Sequence, residues 1–214
     1  MVNSESHLST SFLHTENIAR STAEVEYHPL RPFLPKNCKV LFLGSFPPQR
    51  KRWCMDFYYP NFINDHWRIE GLIFFGDKDY FVDNVNKTFR MERILPFLEE
   101  QGIGFYDTNT AVRRLQDNAS DKFLEIVEPT DVKQMLKDNP TITAIVTAGE
   151  KATETLASHF GTAVPKVGEH IVFTFENHNI THYRAPSSSR AYPLSPEKKA
   201  DAYRSIFIAE GYNL

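Results

Sequence analysis

Short apolar runs alternate with amphipathic stretches along most of this chain. Val40-Leu41-Phe42-Leu43 is a continuous apolar run that stops at Gly44, the pattern of a strand buried on both faces. Further strands are expected over 103–106 and over 142–147, where β-branched residues lead through Ala148-Gly149 into a helix over 150–160. Residues 170–175 and 180–183 flank the polar segment Glu176-Asn177-His178-Asn179 and are expected as a hairpin or a pair of late strands. Apolar spacing predicts helices over 65–75, 89–100, 130–138 and 195–210. Thr130 and Ser195 suit N-caps, and Pro196 falls at a first helical position, where its missing N–H is not needed. Strands alternating with helices predict an α/β fold, drawn as a three-layer α/β/α sandwich around a short, mostly parallel central sheet.

Residues 1–22 are polar, with only scattered apolar positions, and are expected as an arm ahead of a single domain over 23–214. Three prolines between His28 and Pro35 predict an extended lead-in, because proline fixes φ and removes a donor. A chain of 214 residues has room for one substantial core. Net charge −3 gives no global basic field, so any nucleic-acid contact must come from local groups such as Arg50-Lys51-Arg52 or Arg184 with Arg190. Cys38 and Cys54 are the only cysteines, too few for a four-cysteine cluster or a disulfide framework, and reduced thiols in a cytoplasm fit them. His178 and His182 are not expected as metal ligands, and no cofactor is expected. The first ten residues lack a cationic start leading into an apolar stretch, and no run is long enough to span a bilayer, so a soluble, cytoplasmic monomer is expected.

Four blocks carry candidate chemistry. Gly44-Ser45-Phe46-Pro47-Pro48 follows the first strand; glycine permits close backbone approach to a ligand and the prolines stiffen the loop, although an ordinary strand-to-helix turn has the same composition. The segment from Phe57 to Ile69 sets aromatic rings, Tyr58 among them, ahead of a helix start, and Asn64 there can orient a water or simply cap the helix with Asp65. Trp67 reads as core in either case. Asp107 ends the second strand, where a carboxylate can steady a cationic sugar or position water, or close a turn. Arg113-Arg114 reads as a solvated or phosphate-facing pair. Pro186-Ser187-Ser188-Ser189-Arg190 offers short hydroxyls and a guanidinium suited to a phosphate backbone, and no Gly-x-Ser-x-Gly elbow supports a serine hydrolase. Loops at the carboxyl ends of neighbouring parallel strands converge on one crevice, so these distant blocks are expected around a single cleft.

Taken together the blocks resemble the uracil-DNA glycosylase superfamily, most closely its hypoxanthine-DNA glycosylase-like and mismatch-specific branches. Members carry an apolar strand leading to Gly-Ser-Phe-Pro-Gly or Gly-x-Asn-Pro-Gly and then an aromatic stretch, roughly YYAHPxNxFW. Here the matching residues are Gly44 to Pro48 and Tyr58, Tyr59, Asn64 and Trp67. Phe105-Tyr106-Asp107, Ala148-Gly149-Glu150-Lys151-Ala152 and the block from Pro186 to Arg190 resemble the later motifs, and the likeness runs from about His28 to the C-terminus. Phe46 stands where many branches place the Asp or Asn that positions water, Ala185 where the most active branch has histidine, Ala148 in place of Asn, and Pro48 in place of glycine.

The resemblance implies a metal-independent, monofunctional glycosylase that removes a deaminated or mismatched base, such as uracil or hypoxanthine, from double-stranded DNA. It implies catalytic roles for Asn64 and Asp107, and a base pocket of Gly44, Ser45, Phe46, Pro47 and Tyr58. The loop from Pro186 to Arg190 would then hold the DNA. A catalytically silent binder of damaged DNA, motivated by Phe46, Ala148 and Ala185, and a hydrolase of nucleosides or other small molecules, motivated by the acidic charge, are the alternatives.

Overall fold

The computed structural model describes residues 23–116 and 121–214, so the expected polar arm lies outside the described residues. The first half of the chain forms β1 (Val25–Tyr27), β2 (Val40–Gly44), α1 (His66–Phe75), β3 (Val82–Asp83), β4 (Thr88–Phe89), α2 (Met91–Gln101), β5 (Ile103–Asp107) and β6 (Asn109–Arg114). The second half forms β7 (Leu124–Pro129), α3 (Val132–Asp138), β8 (Ala144–Thr147), α4 (Glu150–Phe160), β9 (His170–Phe175), β10 (His178–Arg184) and α5 (Pro196–Ala209), with short 3-10 turns at Arg50–Arg52 and Asp121–Phe123.

The fold is mixed α/β around a five-stranded sheet in the order β5-β2-β8-β10-β9. β2 runs parallel to β5 and to β8, β8 runs parallel to β10, and β9 closes the edge antiparallel to β10. β2 is apolar from Val40 to Leu43 and buried on both faces, as its unbroken run predicts, and β8 beside it is buried along its whole length. The last two strands are joined by a tight turn in which Glu176 and Asn177 both take positive φ, a geometry that matches the right-handed twist of a hairpin. The register is parallel across the middle of the sheet, with Gly44 opposite Asp107 and Leu43 opposite Thr147, so the ends of β2, β5 and β8 come level. Phe42 is stacked between Phe105 of β5 and Tyr203 of α5, at 5.3 and 6.1 Å between ring centroids. Trp67 is fully buried, as expected, and donates its indole N–H to the Tyr58 carbonyl.

Three features differ from the sequence expectation. A second, antiparallel sheet of β1, β6 and β7 is present; shifts of register between Asn109, Ala111 and Val112 break the alternation that would have marked β6 as a strand. The helix expected from Phe89 begins at Met91 because Thr88–Phe89 pairs with Val82–Asp83. Asp131, not Thr130, caps α3, accepting from the Gln134 N–H, while Thr130 is buried and donates its hydroxyl to the Asp107 carbonyl. Ser195 does cap α5, with Pro196 in its first turn.

Candidate active site

The level ends of β2, β5 and β8 open into a cavity of about 750 Å³. Its wall takes in Gly44 to Pro48, Tyr58, Asn64, Asp107 and Ser187 to Ser189, together with the Ala148-Gly149 turn after β8. Three of the four blocks anticipated at strand ends or their loops therefore meet at one crevice, and Asn64 joins them from the start of α1. Pro186 and Arg190 stand outside the wall.

The loop after β2 is fixed through its carbonyls. Gly44 O accepts from Thr108 N–H at 2.8 Å, Ser45 O from Asn109 Nδ2 at 2.8 Å, Pro47 O from Arg114 Nη2 at 3.1 Å and Pro48 O from the Trp53 indole at 2.6 Å. Arg114 is thus no solvated cation: its side chain is buried, held also by both oxygens of Glu26 on β1. Gly44 must lack a side chain, because a Cβ there would collide with Asp107 Oδ1. Phe46 packs against Val112 and Leu124, and the His28 ring meets it edge to face at 5.3 Å.

Asp107 is buried at the end of β5, and one of its oxygens is already engaged. His28 Nε2 donates to Asp107 Oδ2 at 2.7 Å, with the histidine side chain only 2% exposed. The other ring nitrogen faces both groups of Leu30: the Leu30 N–H donates to Nδ1 at 3.2 Å, and the Leu30 carbonyl lies 2.8 Å from the same atom. Nδ1 therefore has a backbone partner whether it carries a proton or not. Sequence reasoning missed His28, whose only signal was its place at the start of a proline-rich lead-in; the contact spans 79 residues. The second oxygen, Oδ1, is the one that lies under Gly44.

A second carboxylate was also missed. Asp121 lines the cavity on the Gly149 side, where it accepts the Ser45 hydroxyl at 2.8 Å. A Cβ on Gly149 would stand 3.4 Å from Asp121 Oδ2, so the turn after β8 packs directly on this carboxylate. Burial pushes the Asp121 carboxyl above its ordinary range; the Asp107 charge adds to that, while the Ser45 hydroxyl and Arg114 oppose it.

Asn64 carries a structural duty at the cavity edge. Its side-chain oxygen accepts the His66 N–H at 2.9 Å at the start of α1, and its backbone pairs with Ser189. Tyr58 presents its ring to the cavity but spends its hydroxyl on the Arg31 carbonyl, and the ring stacks on Phe105 at 5.7 Å.

The serine loop is held from beneath by buried charge. Asp65, 3% exposed in its side chain, accepts from Arg190 Nε at 3.0 Å and from the fully buried Lys199 Nζ at 3.1 Å. Lys199 also donates to Ser189 O at 2.8 Å, Asp65 N–H to Ser188 O at 2.9 Å, and the Tyr203 hydroxyl to Pro186 O at 2.9 Å. Arg190 is accordingly committed to Asp65 through one nitrogen, half-exposed beside the cleft. Among the described residues no group of three His, Cys, Asp or Glu side chains is placed to hold a metal, and no helix is long and apolar enough to cross a membrane.

No protein-family model matches this chain, and no curated protein matches it. Among solved structures, the chain is similar to a protein from Methanosarcina acetivorans, determined in solution by NMR and described as a candidate uracil DNA glycosylase. The two share 22% identity with a TM-score of 0.56, over 88% of this chain and the whole of the other. At that identity the likeness extends to the fold.

Proposed function

We propose that this protein is a DNA glycosylase that draws a deaminated or mismatched base out of the duplex and hydrolyses its N-glycosidic bond. The observation that supports the reading most directly is the cavity at the ends of β2, β5 and β8, where the Gly44 loop, Asp107 and the serine loop meet. The fold shared with a candidate uracil DNA glycosylase agrees with it; with this reading goes a three-layer arrangement, helices on both sides of the sheet. Extruding a nucleotide costs a few kcal/mol, least at mismatched or damaged pairs, which supplies part of the selectivity.

In this reading Phe46 and Tyr58 offer faces to the captured base, and the N–H groups of Ser45 and Phe46 stabilise charge that develops on it as it leaves. Asp107 Oδ1 holds the attacking water and offsets positive charge on the sugar, with His28 keeping the carboxylate in place. Asn64 aligns the same water, using the amide atoms that its helix-capping bond leaves over. The serine loop lies along the DNA backbone. No step calls on a metal.

The test is incubation with duplexes carrying uracil, hypoxanthine, xanthine or a G·T mismatch, followed by alkaline cleavage at abasic sites. Strand breakage at one of these positions is expected. Duplex binding without any break would point to the silent binder. A second reading, hydrolysis of small nucleosides, draws on the commitment of Arg190 to Asp65 and on the mixed charge of the cavity wall, where Asp107, Asp121, Glu150 and Glu154 stand with Arg114, Lys122 and Lys151. Release of base from free deoxynucleosides but not from duplexes would favour it.

A further inference from the structure

Asp107 lies against Gly44 and Asp121 against Ser45, both carboxyl groups line the cavity, and their surroundings differ in kind. Asp107 Oδ2 is held by the imidazole N–H of His28 at 2.7 Å, which leaves Oδ1 to face a water. Asp121 has the Ser45 hydroxyl at 2.8 Å and the Gly149 turn against it. Two carboxyl groups at a glycosidic bond, one to give a proton and the other to take one, suit acid–base cleavage of such a bond. Resting on the glycosylase reading above, we infer that Asp121 is the general acid of this site, delivering a proton to a ring nitrogen of the departing base, while Asp107 is the base that takes a proton from the water. The burial that pushes the Asp121 carboxyl upward, with the Asp107 charge adding to it, fits the acid role.

The step balances. The water oxygen bonds to C1′ as the C1′–N bond breaks, and the bonding pair leaves with the base. Asp121 gives its proton to that base, and Asp107 Oδ1 receives one from the water. Asp121 ends as a carboxylate and Asp107 as an acid, and exchange with solvent restores both. The groups facing this pair are His28 on the lead-in, Tyr58 and Tyr106 beside the His28 ring, Arg114 and Lys151 near Asp121, and Lys122, Glu150 and Glu154 in the cavity wall. A base with an accessible ring nitrogen gains from Asp121; one without it does not.

The proton is assigned to N7 of a purine, and the experiment compares single-turnover release from duplexes containing deoxyinosine and 7-deazadeoxyinosine, in which carbon replaces N7. The wild type is expected to favour deoxyinosine, and D121N to lower that ratio by about a hundredfold, the lower end of what a positioned acid contributes. S45A, which retains the carboxyl but loses a hydroxyl that favours its charged form, should move the alkaline limb of the pH–rate profile to higher pH. S45A also keeps the inference testable where D121N does not fold. A ratio unchanged in folded D121N, or an unmoved limb in S45A, overturns the acid assignment alone. A wild type that releases no base from any duplex overturns the glycosylase reading itself, and this assignment with it.

Discussion

Replacing Glu70 by glutamine should change how stability depends on pH, not merely how large it is. Glu70 and His66 lie one turn apart on α1, both fully buried, with His66 Nε2 3.7 Å from Glu70 Oε1. That separation is too long for a hydrogen bond, and among the described residues neither carboxyl oxygen and neither ring nitrogen has a hydrogen-bond partner. Aromatic rings surround the imidazole instead, with Tyr59 stacked on it at 3.8 Å and Phe42, Trp67 and Phe105 edge-on. Burial therefore favours the neutral form of each: Glu70 is pushed up from 4.5 to about 8, and His66 down from 6.5 to about 3. Above 4.5 the unfolded chain releases the Glu70 proton while the folded protein keeps it to about 8, so this group's contribution falls as pH rises through that window. Below 6.5 the unfolded chain protonates His66 while the folded protein does not, so that contribution falls as pH drops. Between pH 5 and pH 8 linkage gives a loss of about 3.5 kcal/mol from Glu70 and a gain of about 2 kcal/mol from His66. In E70Q only the gain survives. Urea unfolding followed by tryptophan fluorescence should show the stability of E70Q relative to wild type rising by about 3–4 kcal/mol from pH 5 to pH 8, a midpoint shift of about 1.5–2 M for an m-value of about 2 kcal/mol/M. Parallel curves for the two proteins would refute the neutral-pair account and place a charged, solvated Glu70 in the native state.

Asp65→Asn leaves the buried Lys199 ammonium without a counter-charge and should destabilise by about 3–5 kcal/mol, measured by urea unfolding, with the Asp65→Asn, Lys199→Met double variant recovering part of the loss. His28→Ala should slow single-turnover base release by about 10- to 150-fold, the worth of a hydrogen bond to a charged group, and His28→Asn, which restores an N–H donor, should recover some of it; equal rates in the two variants would remove His28 from the site's function. Asn64→Ala should lose about 1 kcal/mol of stability with its helix-capping bond, but a hundredfold or more in base release. A rate that falls no further than the lost stability explains would leave Asn64 a cap and nothing more.

The parts legible in the sequence were those fixed by local pattern. The Val40–Leu43 run, the β8–Gly149–α4 passage and the Ser195-Pro196 helix start each appear where local periodicity and capping place them. The meeting of the Gly44 loop, Asp107 and the serine loop followed from one topological rule about parallel strands. What escaped was set by distance along the chain. His28 meets Asp107 across 79 residues, and Ser45 meets Asp121 across 76, and nothing within either neighbourhood announces the other. β6 escaped because a bulge places Ala111 and Val112 inward in succession, which destroys the two-residue period. Arg114 and Arg190 read as available cations because a sequence shows charge without its partner; Glu26 and Asp65 supply those partners from other elements.

The two walls of the cleft are consequently held by different physics. The Gly44 loop hangs on carbonyls that accept from Thr108, Asn109, Arg114 and Trp53, and three of those four donors are neutral, so salt and moderate pH change have little purchase on it. The serine loop hangs on Asp65, whose carboxylate must remain charged to satisfy a fully buried ammonium and a half-exposed guanidinium at once. Removing that charge would strand Lys199 and slacken Ser189, whose carbonyl accepts from the same ammonium. On the proposed reading, a serine loop loosened in this way would lose its hold on DNA before the floor around Asp107 and Gly44 came apart.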